Sequence, residues 1–187
     1  MSKIIVSEYL TLDGVMEAPE EWQFPYYSDD IAEFVKAHIL ALDALVLGRA
    51  TYEIFAAHWP TQTNNEFGVA DKLNRMPKYA VSSTLEKAGW HNSTLIKGRV
   101  PEAIAKLKQQ PGGNIGIIGS ATLAQSLMEA DLIDEYQLQV YPIVLGKGLR
   151  LFKEGMEKFN LKLVESITFK SGAVSLHYQP ERKIIAN

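Results

Sequence analysis

Leu45-Val46-Leu47-Gly48-Arg49-Ala50-Thr51-Tyr52-Glu53 is the stretch that decides the fold: an apolar run breaks at a glycine, and a cation and a hydroxyl follow at once. Such a run reads as a buried strand that ends where a helix begins, the repeating unit of an α/β protein. In open α/β sheets the carboxyl ends of the strands border the ligand crevice. Gly48 allows close backbone approach, Arg49 can fork onto a phosphate, and a helix start offers free N–H groups. Alone, the stretch fits equally well a plain strand-to-helix turn carrying an exposed arginine.

Working outward, residues 3–10 are apolar and β-branched, a first strand closed by the turn Asp13-Gly14. Residues 15–28 form a proline-punctuated loop with Trp22, Phe24, Tyr26 and Tyr27, either a cover for a core edge or a lid over a ligand. Ser28 or Asp29 caps the next helix, whose apolar positions Ile31, Phe34, Val35, His38, Ile39 and Leu42 recur three and four apart. The second strand, 44–47, leads into the motif. A helix through 53–58 ends at Trp59-Pro60, and 61–67 is polar and loop-like. Strands follow at 78–82, 94–97 and 114–118, with a helix from Pro101 between the last two and another over 121–130.

Up to residue 130 strand and helix alternate, which predicts a mostly parallel sheet with right-handed crossovers. Residues 135–141 then read as a strand with one polar face, Gln137, Gln139 and Tyr141. Residues 161–169 and 173–179 flank Lys170-Ser171-Gly172, a hairpin turn. The expected fold is a single α/β domain over 1–187: a mixed sheet of about eight strands with an antiparallel C-terminal end.

Composition narrows the function classes. Of 187 residues, 47% are hydrophobic and 22% charged, with a net charge of −3 and no basic block, which argues against nucleic-acid or membrane partners. The N-terminal residues lack the features of a signal peptide, and no run reaches membrane-spanning length. The absence of cysteine rules out disulfides, thiolate catalysis and cysteine-zinc sites, and is consistent with the cytoplasm. The four histidines are scattered with no ligand spacing, so no metal site is expected. Neither a nucleophile elbow, nor a P-loop, nor a Gly-x-Gly-x-x-Gly fingerprint occurs.

What remains is a set of strand ends. Gly48-Arg49-Ala50-Thr51, Ser82-Ser83 and Gly119-Ser120-Ala121-Thr122 each follow an apolar strand. The last opens a helix whose N–H groups and dipole suit a pyrophosphate, while Arg49 and the serines suit a phosphate monoester. Ser120 would cap that helix with or without a ligand.

Leu47-Gly48-Arg49-Ala50-Thr51-Tyr52-Glu53 resembles the Met-Gly-Arg-x-Thr-Trp-Glu motif of dihydrofolate reductases. Asp30 through Phe34, Ala80-Val81-Ser82-Ser83 and Ile117-Ile118-Gly119-Ser120-Ala121-Thr122-Leu123 are similar to that superfamily's substrate helix, serine-ended strand and phosphate turn. Leu12-Asp13-Gly14, and Asp134-Glu135-Tyr136 through Pro142-Ile143-Val144-Leu145-Gly146-Lys147-Gly148 to Phe152, resemble the reductase domain of bifunctional riboflavin-biosynthesis enzymes and their free-standing relatives.

The resemblance spans essentially the whole chain and implies a three-layer α/β/α dihydrofolate reductase-like fold and NADPH-dependent reduction of a small heterocycle by a cytoplasmic homodimer. By it, Gly48, Arg49, Thr51, Ser82, Ser83 and Lys97 would hold the 2′-phosphate side of NADPH, and Gly119, Ser120, Ala121, Thr122 and Leu123 the pyrophosphate. Asp30 would be the catalytic acid, its pKa raised by an aromatic pocket, with Phe34 as apolar contact and Asp13 as a substrate ligand; read without the resemblance, Asp30 fits equally well as first-turn compensation of the helix dipole and Asp13 as a turn former. Two positions depart from the pattern: Ser120 replaces the second glycine of the turn, and Ile118 replaces a substrate-binding glutamate. Riboflavin-pathway reduction is the favoured activity. The rivals are dihydrofolate or pteridine reduction, a ligand-binding homodimer without turnover, and an interaction module using 136–141 and 144–152.

Overall fold

In the computed structural model, which describes residues 1–181, the strands are β1 (Lys3–Thr11), β2 (Leu42–Gly48), β3 (Lys78–Val81), β4 (Ser93–Ile96), β5 (Asn114–Ile118), β6 (Glu135–Tyr141), β7 (Leu161–Thr168) and β8 (Val174–Pro180). They form one eight-stranded sheet in the order β4-β3-β2-β5-β1-β6-β8-β7. The first six lie parallel, and β8 and β7 run antiparallel at the end. The eight-stranded mixed sheet expected from the sequence is therefore present. Residues 182–187, the end of the span read as one domain, lie outside the described residues.

The helices are α1 (Asp29–Leu40), α2 (Arg49–His58), α3 (Ala70–Arg75), α4 (Val100–Gln109) and α5 (Ala121–Glu129). Alternation along each strand divides the core between the two faces of the sheet. Ile4, Val6, Val46, Ile115 and Ile117 meet Ile104 of α4 and Leu123 and Leu127 of α5. On the other face Leu45, Leu47 and Ala80 meet Ile39, Tyr52 and Leu73 of α1, α2 and α3. A third cluster, Trp22, Ile31, Tyr141, Phe169 and Ala173, seals the end of α1 against the hairpin turn. Helices thus cover both faces of the sheet. None among the described residues is long and apolar enough to cross a membrane.

Two expectations change. The polar face of β6 is largely covered: Gln137 is half-buried, and Gln139 and Tyr141 are buried, with the Tyr141 hydroxyl donating to Gln139 Oε1 at 3.2 Å and its ring packed against Tyr9, Trp22 and Tyr26. The alternation is genuine, but the aromatics of the 15–28 loop cover the side expected to face water. Trp22 accordingly closes a core edge, while Phe24 and Tyr27 face outward. Residues 136–141 are buried except for half-buried Gln137 and Val140 and offer little surface to a partner, whereas the C-terminal part beyond them exposes apolar side chains that include Val144, Leu149, Leu163 and Val164.

The short helix α3 has no extended sequence signal. Its C-terminal carbonyls are held by Lys78, whose fully buried ammonium donates to the oxygens of Leu73 (2.8 Å), Asn74 (3.0 Å) and Met76 (2.8 Å) and lies 4.2 Å from the centre of the Trp90 ring.

Candidate functional site

Parallel register decides which strand ends meet. Gly48 lies opposite Val81 and Val81 opposite Ile96, so Arg49, Ser82 and Lys97 emerge side by side. On the other flank Val46 lies opposite Ile117, which carries Gly119 up to the level of Gly48. The approach there is close. A Cβ added to Gly48 would overlap the Ser120 side chain, and one added to Gly119 would overlap the Thr51 hydroxyl. The three segments form one continuous ridge.

Its chemistry suits an anion. Arg49, Ser83 and Lys97 are exposed, with Arg49 Nη1 3.3 Å from Thr84 Oγ1. Ser82 is buried, its Oγ accepting from the N–H of Thr84 (3.2 Å) and Leu85 (2.9 Å), so it shapes the turn that presents its neighbours. Gly119 and Ser120 both have left-handed backbones, φ 68° and 64°. That conformation is ordinary for glycine and strained for serine, and its persistence marks a turn fixed from outside. Ser120 Oγ accepts from the N–H of Leu123 at 3.3 Å. The helix start leaves the N–H groups of buried Ala121 and exposed Thr122 without acceptors inside α5.

Beneath this turn is a residue the sequence reading passed over. Glu8 lies on the β1 face that carries Ile4, Val6 and Leu10, is 6% exposed, and accepts the Gly119 N–H at 3.2 Å through Oε2. Burial, opposed by that bond, pushes its pKa up to about 8. A carboxylate at an apolar-parity position of a strand is the signal that was available.

Of the three substrate-side residues, the two acids are tied to neighbouring loops and Phe34 faces a cavity. Asp30 accepts from Ser28 Oγ and the Ile31 N–H through Oδ1, and from the Lys170 N–H through Oδ2 at 3.0 Å, pinning the β7–β8 turn to α1. Those bonds, Ser28's first, lower its pKa, the reverse of the expected rise. An ionised carboxylate accepts hydrogen bonds but has no proton to give. Asp13 closes a latch: it accepts from Thr11 Oγ1 (2.6 Å) and the N–H groups of Leu145 (3.2 Å) and Gly146 (2.8 Å), and pairs with Arg150 at 3.3 Å. The Thr11 hydroxyl leads in holding its carboxyl well below the usual range.

Phe34 alone of the three faces open space. It packs edge-on against Phe169 at 5.4 Å and lines a cavity of about 240 Å³ between α1 and the sheet, with His38, Gln137, Glu165, Ser175 and His177. His38 Nε2 lies 2.6 Å from the Ser7 hydroxyl. Burial, then neighbouring His177, pull its pKa down to about 4 against the opposing charge of Glu135, so the imidazole is neutral at pH 7, and its tautomer sets which of the pair donates. Ser7 stands opposite Ile118, one residue before the turn, so this polar pocket adjoins the ridge. Among the described residues no three His, Asp or Glu gather in a way that would hold a metal ion.

Residues 2–175 match the RibD C-terminal domain. YyaP of Bacillus subtilis (strain 168), described as an uncharacterized protein, is 28% identical over 181 residues covering 94% of each chain. Among solved structures, a putative riboflavin biosynthesis protein from Shewanella sp. PV-4 superposes with a TM-score of 0.76 at 23% identity, covering 96% of this chain and 99% of that one. Dihydrofolate reductase from Enterococcus faecalis, solved in complex with NADP(H), superposes with a TM-score of 0.65 at 16% identity, covering 96% and 97%. The fold is dihydrofolate reductase-like.

Proposed function

The chain belongs to the RibD C-terminal domain family, and on that premise we propose that its single domain is an NADPH-dependent reductase of a small heterocyclic substrate. The observation that carries this reading is the juxtaposition of Gly48-Arg49, Ser82-Ser83 with Lys97, and Gly119-Ser120 along one ridge. Its cations, hydroxyls and helix N–H groups match the charge of a dinucleotide's phosphates. Arg49, Ser83 and Lys97 would take the 2′-phosphate, with Ser82, Gly48 and Thr51 shaping that corner. Ala121 and Thr122 would take the pyrophosphate on the frame set by Gly119, Ser120 and Leu123.

When bound, the dinucleotide supplies the hydride; the chain supplies binding and orientation. Phe34 and the polar pocket beside it would receive the ring. Asp30, ionised, would orient N–H groups on it as an acceptor, and Asp13 would hold the neighbouring loops in place. Riboflavin-pathway reduction of 5-amino-6-(5-phosphoribosylamino)uracil is the favoured activity on family grounds, with dihydrofolate or another pteridine as the alternative. Ile118, where a substrate-binding glutamate is usual, favours testing both, along with ligand binding without turnover. Exposed Val144, Leu149, Leu163 and Val164, the last two on the edge strand β7, support a homodimer, and the cysteine-free composition suits a cytoplasmic setting.

The test is a titration of tryptophan fluorescence with NADPH. Saturable binding is expected, weakened at least tenfold by Arg49→Ala combined with Ser82→Ala, roughly the loss of one charge-assisted hydrogen bond. Absent binding, or an unchanged affinity in the double variant, overturns the cofactor assignment. Light scattering on the same samples is expected to give twice the 20.9 kDa chain mass; a monomer refutes the dimer.

A further inference from the structure

We propose that Glu8 is a positioning residue for the cofactor turn, holding Gly119 and Ser120 from beneath in the shape that receives the phosphates. This rests on the NADPH reading above. The geometry is specific: Glu8 is more than nine-tenths buried, and its Oε2 takes the Gly119 N–H at 3.2 Å. Its Oε1 has no hydrogen-bond partner among the described residues. The start of α5 is thereby fixed at two points, Gly119 by Glu8 and Leu123 by the Ser120 hydroxyl. Two successive left-handed residues would otherwise relax, because serine disfavours that conformation.

The same residue ties the turn to proton concentration. Leu138 of β6 lies opposite Glu8, and the core on that face contributes Ala121 and Leu123 from α5. No charged side chain among the described residues shifts its titration; burial raises it to about 8, and the Gly119 amide opposes. Tyr9, next along β1, is the titratable neighbour that feels its charge. Below that value Glu8 is neutral and adds no repulsion. Above it, a negative charge lies directly under the seat proposed for two phosphates.

The folded-state value lies above the ordinary 4.5, so the neutral acid's contribution to stability is complete below about pH 4.5 and is lost as pH rises through about 8. Cofactor binding is expected to weaken over the upper part of the same window, by roughly tenfold for one uncompensated charge beneath the turn.

The experiment measures the dissociation constants of NADPH and NADH from about pH 7 to about pH 9.5, bracketing the value near 8. Wild type and Glu8→Gln are compared by each protein's own high-to-low pH ratio. NADH carries the pyrophosphate without the 2′-phosphate, so it separates the turn from the Arg49 corner. For wild type both ligands should bind roughly tenfold more weakly at the upper limit. Glu8→Gln, which keeps an acceptor for Gly119 but cannot ionise, should bind with a nearly constant affinity. A flat wild-type profile, or the same slope in Glu8→Gln, overturns the role of Glu8 while leaving the cofactor reading intact. Loss of all binding at pH 7 by wild type defeats the cofactor reading, and this proposal with it. Wild-type urea stability from about pH 6.5 to about pH 8, above the range in which His38 adds stability with rising pH, supplies a readout that needs no variant: no decline there refutes a buried neutral Glu8.

Discussion

Lys78→Met is expected to lower the thermal midpoint by roughly 6–12 °C at neutral pH, a larger loss of stability than Gly48→Ala should cause, taking about 3 kcal/mol at 2–4 °C per kcal/mol for a chain of this size. Burial pulls the ammonium down to about 8, so at pH 7 it is still protonated in the folded chain. It satisfies three carbonyls at the end of α3 and sits over the Trp90 ring. Trp90 in turn donates from Nε1 to Asn74 Oδ1 and from its backbone N–H to the Tyr52 hydroxyl, each at 2.9 Å. One cation therefore ties α2, α3 and the start of β3 together. Methionine keeps the length and apolar stem but leaves the carbonyls buried without donors, a larger effect than the relief of burying a charge. Thermal unfolding followed by circular dichroism checks this, and a shift below about 2 °C contradicts it.

Gly48→Ala is expected to weaken NADPH binding at least tenfold and to cost about 2 kcal/mol of stability, the size of an overpacked core contact. Backbone conformation is not the reason, since Gly48 has φ −66°, which any residue adopts. The obstacle is Ser120, whose Cβ and Oγ occupy the space a methyl group would need. Ser120 cannot swing away without releasing the Leu123 N–H and disturbing a left-handed turn already held by Glu8. Relief must come from displacement of the turn itself, and an ångström there is enough to spoil the fit of a phosphate. Gly89→Ala is the control: nothing lies within 4 Å of its added Cβ, and both affinity and stability should match wild type. Equal behaviour of the two variants would show that the ridge tolerates the insertion.

Much of the molecule was legible in one dimension. The span 114–118 and the span 135–141 were read with the bounds the strands have, and the remaining strands within about two residues, because period-2 apolar patterns end at glycines, serines and prolines. The fold and family follow from the same residues, since motif and strand end coincide. The short helix α3 escaped because its six residues carry too little pattern, and the cation that terminates it is read in sequence as the first residue of a strand. The polar face of β6 misled because alternation tells which residues share a side and says nothing about what covers that side.

The functional residues divide in the same way. Gly48, Arg49, Ser82 and Gly119 are visible in sequence because special backbone and anion-binding chemistry restrict residue type. Whether they meet is a matter of register, which parallel pairing across four strands sets at long range. Asp30 and Asp13 look alike as isolated acids, yet the tertiary structure engages both with backbone N–H groups and lowers both pKa values. Glu8 moves the other way: the side chain is the same in water, and only burial beneath Gly119 makes it a neutral acid. The sequence by itself determined the order of elements, the apolar faces and the residue types of the proposed anion-binding ridge, because these depend on local propensity and periodicity. Only the tertiary structure decided which of these groups touch and which carboxyls hold a proton, because contact and desolvation are properties of the assembled sheet.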